Sequence, residues 1–341
     1  YALIIAGTHA ALALLDWLSL ALLPRLKRSF GPVTPPLISL TILRALITTL
    51  IGLIGNRSEG ALIAALLIQA GILIISLYAL WIEPFRLTVS RETLQSDRLD
   101  ASAPPVRVLH LSDLHIERIT ARERRLQVLI EELAPDIIVF SGDFVNLSYP
   151  DDPETLAAIR EVISQWQAPG GVFAVSGSPL VESQEMVGRF VRGTGIRWLR
   201  DEAVEVEVRG QRLTLIGITC AHDPEDDAAR MRRVVQSVPE ECFKLLIFHH
   251  PDIAPQASEA GVDLYLCGHT HGGQLRLPFY GALITSSTLG KRFEMGRYQV
   301  GKMTLYVSRG IGMEGASAPR ARFLCPPEII LWTLAGCSKR A

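Results

Sequence analysis

Hydrophobic positions divide this chain at residue 84. Before it lie three almost unbroken apolar stretches, Leu3–Leu23, Leu37–Gly55 and Ala61–Ile82. Each is long enough to cross a bilayer at about 1.5 Å per helical residue. They lack the 3.6-residue alternation of a helix that lays one face on a soluble core. Three such stretches in succession predict a membrane segment over residues 1–84 rather than buried core helices.

After residue 84 the runs shorten to strand length. Pro84 and the Ala101–Pro105 stretch mark residues 85–105 as a linker, although Phe85–Leu99 has the makings of a short strand. Strands are expected at Val106–Leu111, Asp136–Ser141, Gly171–Ser176, Leu213–Thr219, Phe243–Phe248, Val262–Cys267, Met303–Ser308 and Glu328–Thr333. Helical patterns lie between the early ones, at Glu123–Leu133, Glu154–Trp166, Gln184–Gly193 and Asp226–Val238. That alternation predicts an α/β domain with largely buried strands over 106–335, followed by a tail at 336–341. The sequence opens on Tyr1 rather than Met, so a preceding stretch is expected.

Charge sets the expected orientation. Arg25, Lys27 and Arg28 follow the first span, and Arg86, Arg91 and Arg98 follow the third. Positive loops stay in the cytoplasm, so the α/β domain is expected on that face of a multi-pass cell-membrane protein. Polar side chains within spans need a reason. Asp16 and Arg44 are placed to pair across the bundle, and His9 lies seven residues before Asp16 on the same face. They read either as glue between helices or as a lipid or proton site. A net charge of −1 supplies no basic field for nucleic acid, so no such partner is expected. The cysteines Cys220, Cys242, Cys267, Cys325 and Cys337 have no CxxC spacing and are odd in number, which argues against a disulfide framework or a structural zinc site.

The chemistry gathers just after the strands, where open α/β sheets bind ligands. The relevant pieces are Asp113-Leu114-His115, Gly142-Asp143, His249-His250-Pro251-Asp252 and Gly268-His269-Thr270-His271-Gly272-Gly273-Gln274. Carboxylates and imidazoles crowded together are tolerable when metal ions share them, and this donor mix suits Mn, Fe or Zn. With these pieces and the closing Cys325-Pro326-Pro327-Glu328-Ile329 segment, the sequence resembles the calcineurin-like metallophosphoesterases, in their bacterial membrane-anchored branch.

The resemblance implies a four-layer α/β/β/α sandwich with two divalent ions at the strand ends. Asp113, His115 and His271 would hold the first ion, His249 and His269 the second, and Asp143 would bridge both. A hydroxide shared by the ions would attack phosphorus in line. His250 would then be a supporting group, a substrate contact or simply exposed.

One family motif is broken. Where the family has Gly-Asn-His after the third strand, this chain has Gly177-Ser178-Pro179. A hydroxyl is a poorer ligand than an amide oxygen, and proline cannot transfer a proton. The loss of a general acid costs roughly 10²–10⁴ in rate. The expected function is therefore an altered phosphoesterase or pyrophosphatase acting on a phosphorylated small molecule or a lipid-linked substrate. Leaving groups that are stable as anions, as in pyrophosphates and aryl phosphates, should suffer least. His222 is a candidate replacement acid. Two rivals remain: a catalytically silent metal-binding protein that senses phosphorylated ligands, and a transport role for the helices.

Overall fold

In the computed structural model, which describes residues 2–316 and 319–337, three long helices open the chain. They are α1 (Ala2–Arg25), α2 (Thr34–Ile54) and α3 (Glu59–Trp81). All three are long and apolar enough to cross a membrane. α2 carries prolines in its first turn, where a missing N–H leaves nothing unsatisfied. Ser58 caps α3 by accepting from Ala61 N at 3.2 Å. Inside the bundle, Arg44 donates from Nε to Asp16 Oδ2 at 2.8 Å and from Nη2 to Oδ1 at 3.1 Å. Gln69 Oε1 accepts from Arg44 Nη1 at 3.0 Å, and all three side chains are buried. His9 stands apart, its Nδ1 3.0 Å from Ile5 O in its own helix.

The rest of the chain runs β1 (Thr88–Ser96), β2 (Val106–Leu111), α4 (Ala121–Leu133), β3 (Ile137–Phe140), α5 (Pro153–Ile163), β4 (Val172–Ala174), α6 (Gln184–Val191), β5 (Ile196–Trp198), β6 (Glu202–Val208) and β7 (Gln211–Gly217). It continues α7 (Pro224–Gln236), β8 (Lys244–Ile247), α8 (Ala254–Glu259), β9 (Leu264–Cys267), β10 (Arg276–Leu277), β11 (Gly281–Ala282), β12 (Gly296–Val300), β13 (Met303–Val307) and β14 (Glu328–Gly336). Two six-stranded sheets form, ordered β1-β14-β2-β3-β4-β5 and β12-β13-β9-β8-β7-β6. Between them lies an apolar core in which Val108, Val139, Ile330 and Trp332 of one sheet meet Leu215, Leu245, Ile247 and Leu266 of the other. α4, α5 and α6 cover the outer face of the first sheet, and α7 and α8 that of the second. The layers are therefore α/β/β/α. Apolar residues on both faces make the central strands read as continuous apolar runs.

Eight strands were expected, with a further short one suggested within Phe85–Leu99; that one is β1, and the structure adds β5, β6 and β12, together with the short β10–β11 hairpin. β1, β5, β6 and β12 are the edge strands of the two sheets. Each has one face toward solvent, so β6 (Glu202–Val208) alternates polar with apolar and does not look like a buried run. β1 pairs in parallel with β14 over nine residues, so much of the expected linker belongs to the sheet. Of the tail at 336–341, Gly336 ends β14, and residues 338–341 lie outside the described residues.

The helical segment docks on the domain through specific contacts. Glu117 accepts from Phe30 N at 2.6 Å and pairs with Arg320, which reaches Ser29 Oγ at 2.9 Å. Arg322 N donates to Ala79 O at 3.0 Å, and the buried Glu83 carboxylate accepts from Cys325 N. Leu20, Leu23, Ala79 and Leu80 form an apolar cluster with Ala321, against which Leu275 and Phe323 pack.

Candidate metal centre

β2, β3 and β4 run parallel in one sheet, and β7, β8, β9 and β13 do so in the other. Their C-terminal loops therefore open at one end of the sandwich. Asp113 and His115 follow β2, Asp143 follows β3, His249 follows β8, and His269 and His271 follow β9. The structure brings all six together. Ligating atoms of Asp113, His115 and His271 lie within 4.8 Å of one another, as do those of Asp143, His249 and His269. Asp143 Oδ2 links the two groups, 3.5 Å from His115 Nε2 and 3.3 Å from His249 Nε2.

The loops hold these side chains at a conformational cost. Asp113, His115, Asp143, His269 and His271 all have positive φ, between 41° and 70°. Non-glycine residues adopt that region at roughly 1–3 kcal/mol each, and such strain clusters at working sites. Two glycines make room: a Cβ on Gly268 would lie 2.0 Å from Asp113 Oδ2, and one on Gly177 2.0 Å from Asp143 Oδ1.

Backbone carbonyls orient the rings from behind. His115 Nδ1 faces Val145 O at 3.2 Å, His249 Nδ1 faces Ser141 O at 2.9 Å, and His269 Nε2 faces Ser286 O at 3.0 Å. Donation to these carbonyls leaves His115 Nε2, His249 Nε2 and His269 Nδ1 as lone pairs turned inward, the arrangement seen behind metal-bound imidazoles. His115 Nε2 and His271 Nε2 are 2.9 Å apart, and two facing ring nitrogens can share only one proton. Without ions the charges are in conflict. Burial disfavours charge on His249, yet the Asp143 carboxylate beside it holds its pKa up at about 9. Burial and then the His249 charge push His269 down to about 4. Burial raises Asp113, while the surrounding imidazoles outweigh burial at Asp143 and hold it ionised. Divalent cations would relieve each of these strains, so the donor set fits them.

Ser178 follows β4 and borders the second group. Its N–H donates to Asp143 Oδ1 at 2.8 Å, and its Oγ lies 3.2 Å from His249 Nε2. His222 Nε2 sits 3.0 Å from that same hydroxyl. His222 itself is exposed, with a strained φ of 61°. His250 is buried, so the reading of it as merely exposed is overturned: its Nε2 meets Cys220 Sγ at 3.0 Å and its ring lies against those of His222 and His269. Pro179 is exposed at the mouth of the site.

Several neighbours carry no sequence pattern of their own. Glu182 is buried and accepts from Phe144 N at 2.7 Å, Gly177 N at 2.7 Å and Asp143 N at 3.2 Å, which ties the β3 and β4 loops together. Burial, with Asp143 nearby, pushes its pKa up to about 7. Glu314 Oε2 stands 3.7 Å from His115 Nε2. Arg322 caps the carbonyls of Arg309 and Gly312 and reaches within 3.4 Å of His271 Nδ1. Only the fold places these residues at the site, although Glu182 lies four residues after Ser178 and near enough in sequence to be a candidate.

Such a sandwich with these clustered donors at one end is the architecture of a metallophosphoesterase, and the sequence comparisons give the same family. Residues 106–273 match the model of the calcineurin-like phosphoesterase family. The chain is 30% identical over 269 residues to the uncharacterized metallophosphoesterase YkuE of Bacillus subtilis, covering 75% of this chain and 88% of that one. The chain therefore belongs to the calcineurin-like phosphoesterases. Phosphodiesterase YaeI of Escherichia coli is 28% identical over 249 residues, covering 68% of this chain and 83% of that protein. The UDP-2,3-diacylglucosamine pyrophosphatase LpxG of Chlamydia muridarum is 23% identical over 324 residues, covering 80% and 96%. As a member of this family the chain is a hydrolase of phosphoester bonds, and the family generally uses divalent metals.

Proposed function

We propose that this phosphoesterase works with two divalent ions at the cytoplasmic membrane face, and that it cleaves pyrophosphate or other good-leaving-group phosphoesters, including lipid-linked ones. The observation that carries this reading is the convergence of Asp113, His115, Asp143, His249, His269 and His271 at one sheet edge. Asp113, His115 and His271 would hold one ion and His249 and His269 the other, with Asp143 reaching both. When bound, such a pair acidifies a water and offsets charge on phosphoryl oxygens. The chain supplies the rest. Ser141 O and Val145 O fix the ring tautomers, and Ser178 N–H fixes the rotamer of Asp143.

His222 is assigned the proton that the missing motif would have given. Its Nε2 touches the hydroxyl at the altered position, and it is open to solvent at the mouth. His250, packed behind it against Cys220, steadies its ring. A phosphate monoester leaves as a stable anion, since its second pKa is near 6, and so needs this proton least. The pyrophosphatase name of one relative and the three long apolar helices both favour an amphiphilic substrate already gathered at a membrane. The charges after α1 and α3 support the cytoplasmic placement. A silent, ligand-sensing role draws on the Ser178-Pro179 substitution alone.

The test is metal analysis of the purified chain joined to manganese-dependent turnover of a chromogenic phosphodiester, with His271→Ala as control. Two ions per chain and turnover lost in the variant are expected. Bound ions without turnover would favour sensing, and a chain that binds no ions would sink the proposal.

A further inference from the structure

We infer that the β10–β11 hairpin, residues 276–284, is an interfacial element that dips into the surface of the same bilayer and holds the metal centre at the headgroup layer. The inference rests on the membrane reading of α1–α3. Among the described residues, eight large apolar side chains beyond residue 84 are more than a third exposed, and six of them lie in one patch: Leu277, Phe279, Tyr280, Leu283, Ile284 and Leu324. Concentrated apolar exposure of this kind marks an interaction surface rather than ordinary surface scatter. Phe279 is wholly exposed and has a φ of 64°, a strained geometry for a bulky residue at a turn.

The flanks of the hairpin tie two regions together. On one side, Leu275 packs with Phe323 on Leu20, Leu23, Ala79 and Leu80, where α1 and α3 end. The Phe323 ring stands edge-on to Tyr78 at 6.3 Å, and Phe323 O accepts from Arg276 N at 3.1 Å. On the other side, Ser286 O accepts from His269 Nε2, and Arg276 donates to Gly272 O within the metal-site loop at 2.8 Å.

Reach decides which occupant fits. Four residue steps lead from Leu275 to Phe279, at most about 14 Å of extended chain. The headgroup layer beyond the last turn of a spanning helix is roughly 5–8 Å thick on each face. A hairpin anchored on the last turn of α3 therefore has the bilayer boundary within reach of its apolar tip. Lys291 caps the Tyr280 ring at 3.5 Å, and lysine with tyrosine is the pairing that boundary favours. A lipid-linked phosphate would then have only a short distance to travel to the ions.

The experiment uses the full chain with Trp17→Phe and Trp81→Phe, reconstituted in phosphatidylcholine–phosphatidylglycerol nanodiscs with or without lipids brominated near the glycerol end. Phe279→Trp is expected to add emission that brominated lipids quench. Co-migration with the discs checks the membrane reading independently. A chain that co-migrates but shows no added quenching overturns the inference, as does burial of the introduced indole against a second copy in detergent. As a second measure, Phe279→Ser with Ile284→Ser should raise KM for a long-chain lipid pyrophosphate on the order of tenfold or more while leaving a soluble chromogenic diester unchanged. Equal effects on both substrates would also overturn it.

Discussion

Replacing His222 by Gln tests the assignment of the proton donor. The amide keeps the hydrogen bond to Ser178 Oγ, which spans 3.0 Å in the native chain, and removes only the titratable proton. The residue is exposed and packs no core, so stability should change by less than about 0.5 kcal/mol. A positioned general acid contributes roughly 10²–10⁴ in rate, about 3–5.5 kcal/mol of transition-state stabilisation. That loss should fall on alkyl diesters, whose alkoxide must be protonated, and scarcely on pyrophosphates, whose phosphate anion leaves unaided. The assay is kcat across a leaving-group series at fixed metal, from alkyl through aryl diesters to a pyrophosphate, with metal content checked in each preparation. A steeper dependence on leaving-group pKa in His222→Gln is expected. Ser178→Asn with Pro179→His, which restores the family motif, should flatten it again. Uniform loss across the series, or none, would refute the reasoning and leave His222 a loop residue.

Three further outcomes follow from the same geometry. Asp143→Asn should remove the carboxylate that both metal groups share, lowering bound metal below two equivalents by elemental analysis and turnover by roughly 10³ or more; full occupancy would show that Asp143 is not a shared ligand. In metal-free protein the His249 pKa is raised to about 9 from 6.5, so its contribution to stability is fully present below pH 6.5 and lost as pH rises through 9. Melting temperature in EDTA should therefore fall over that window, whereas in manganese it should not, because ions bind the neutral ring; parallel curves would refute this. In the bundle, Asp16→Leu alone strands the Arg44 guanidinium and should cost about 3–5 kcal/mol, seen as a lowered melting temperature in detergent, with Arg44→Leu restoring most of it.

The sequence alone determined a good deal about this protein. Apolar runs marked the three long helices and the central strands, because buried strands and bilayer-length helices leave unbroken hydrophobic text. Clustering of Asp113, His115, Asp143, His249, His269 and His271 after successive strands was legible because parallel strands deliver their C-terminal loops to one edge. Tertiary structure decided the rest. The edge strands β5, β6 and β12 gain their identity from a neighbour rather than from composition, so alternation with charge hid them. Glu182, Arg322 and the carbonyls of Ser141 and Val145 reach the clustered donors only because loops distant in sequence fold over them. Strain at positive φ in five of the six clustered residues, and the meeting of His222 with Ser178 across 44 residues, are properties of backbone path and packing that no residue type announces.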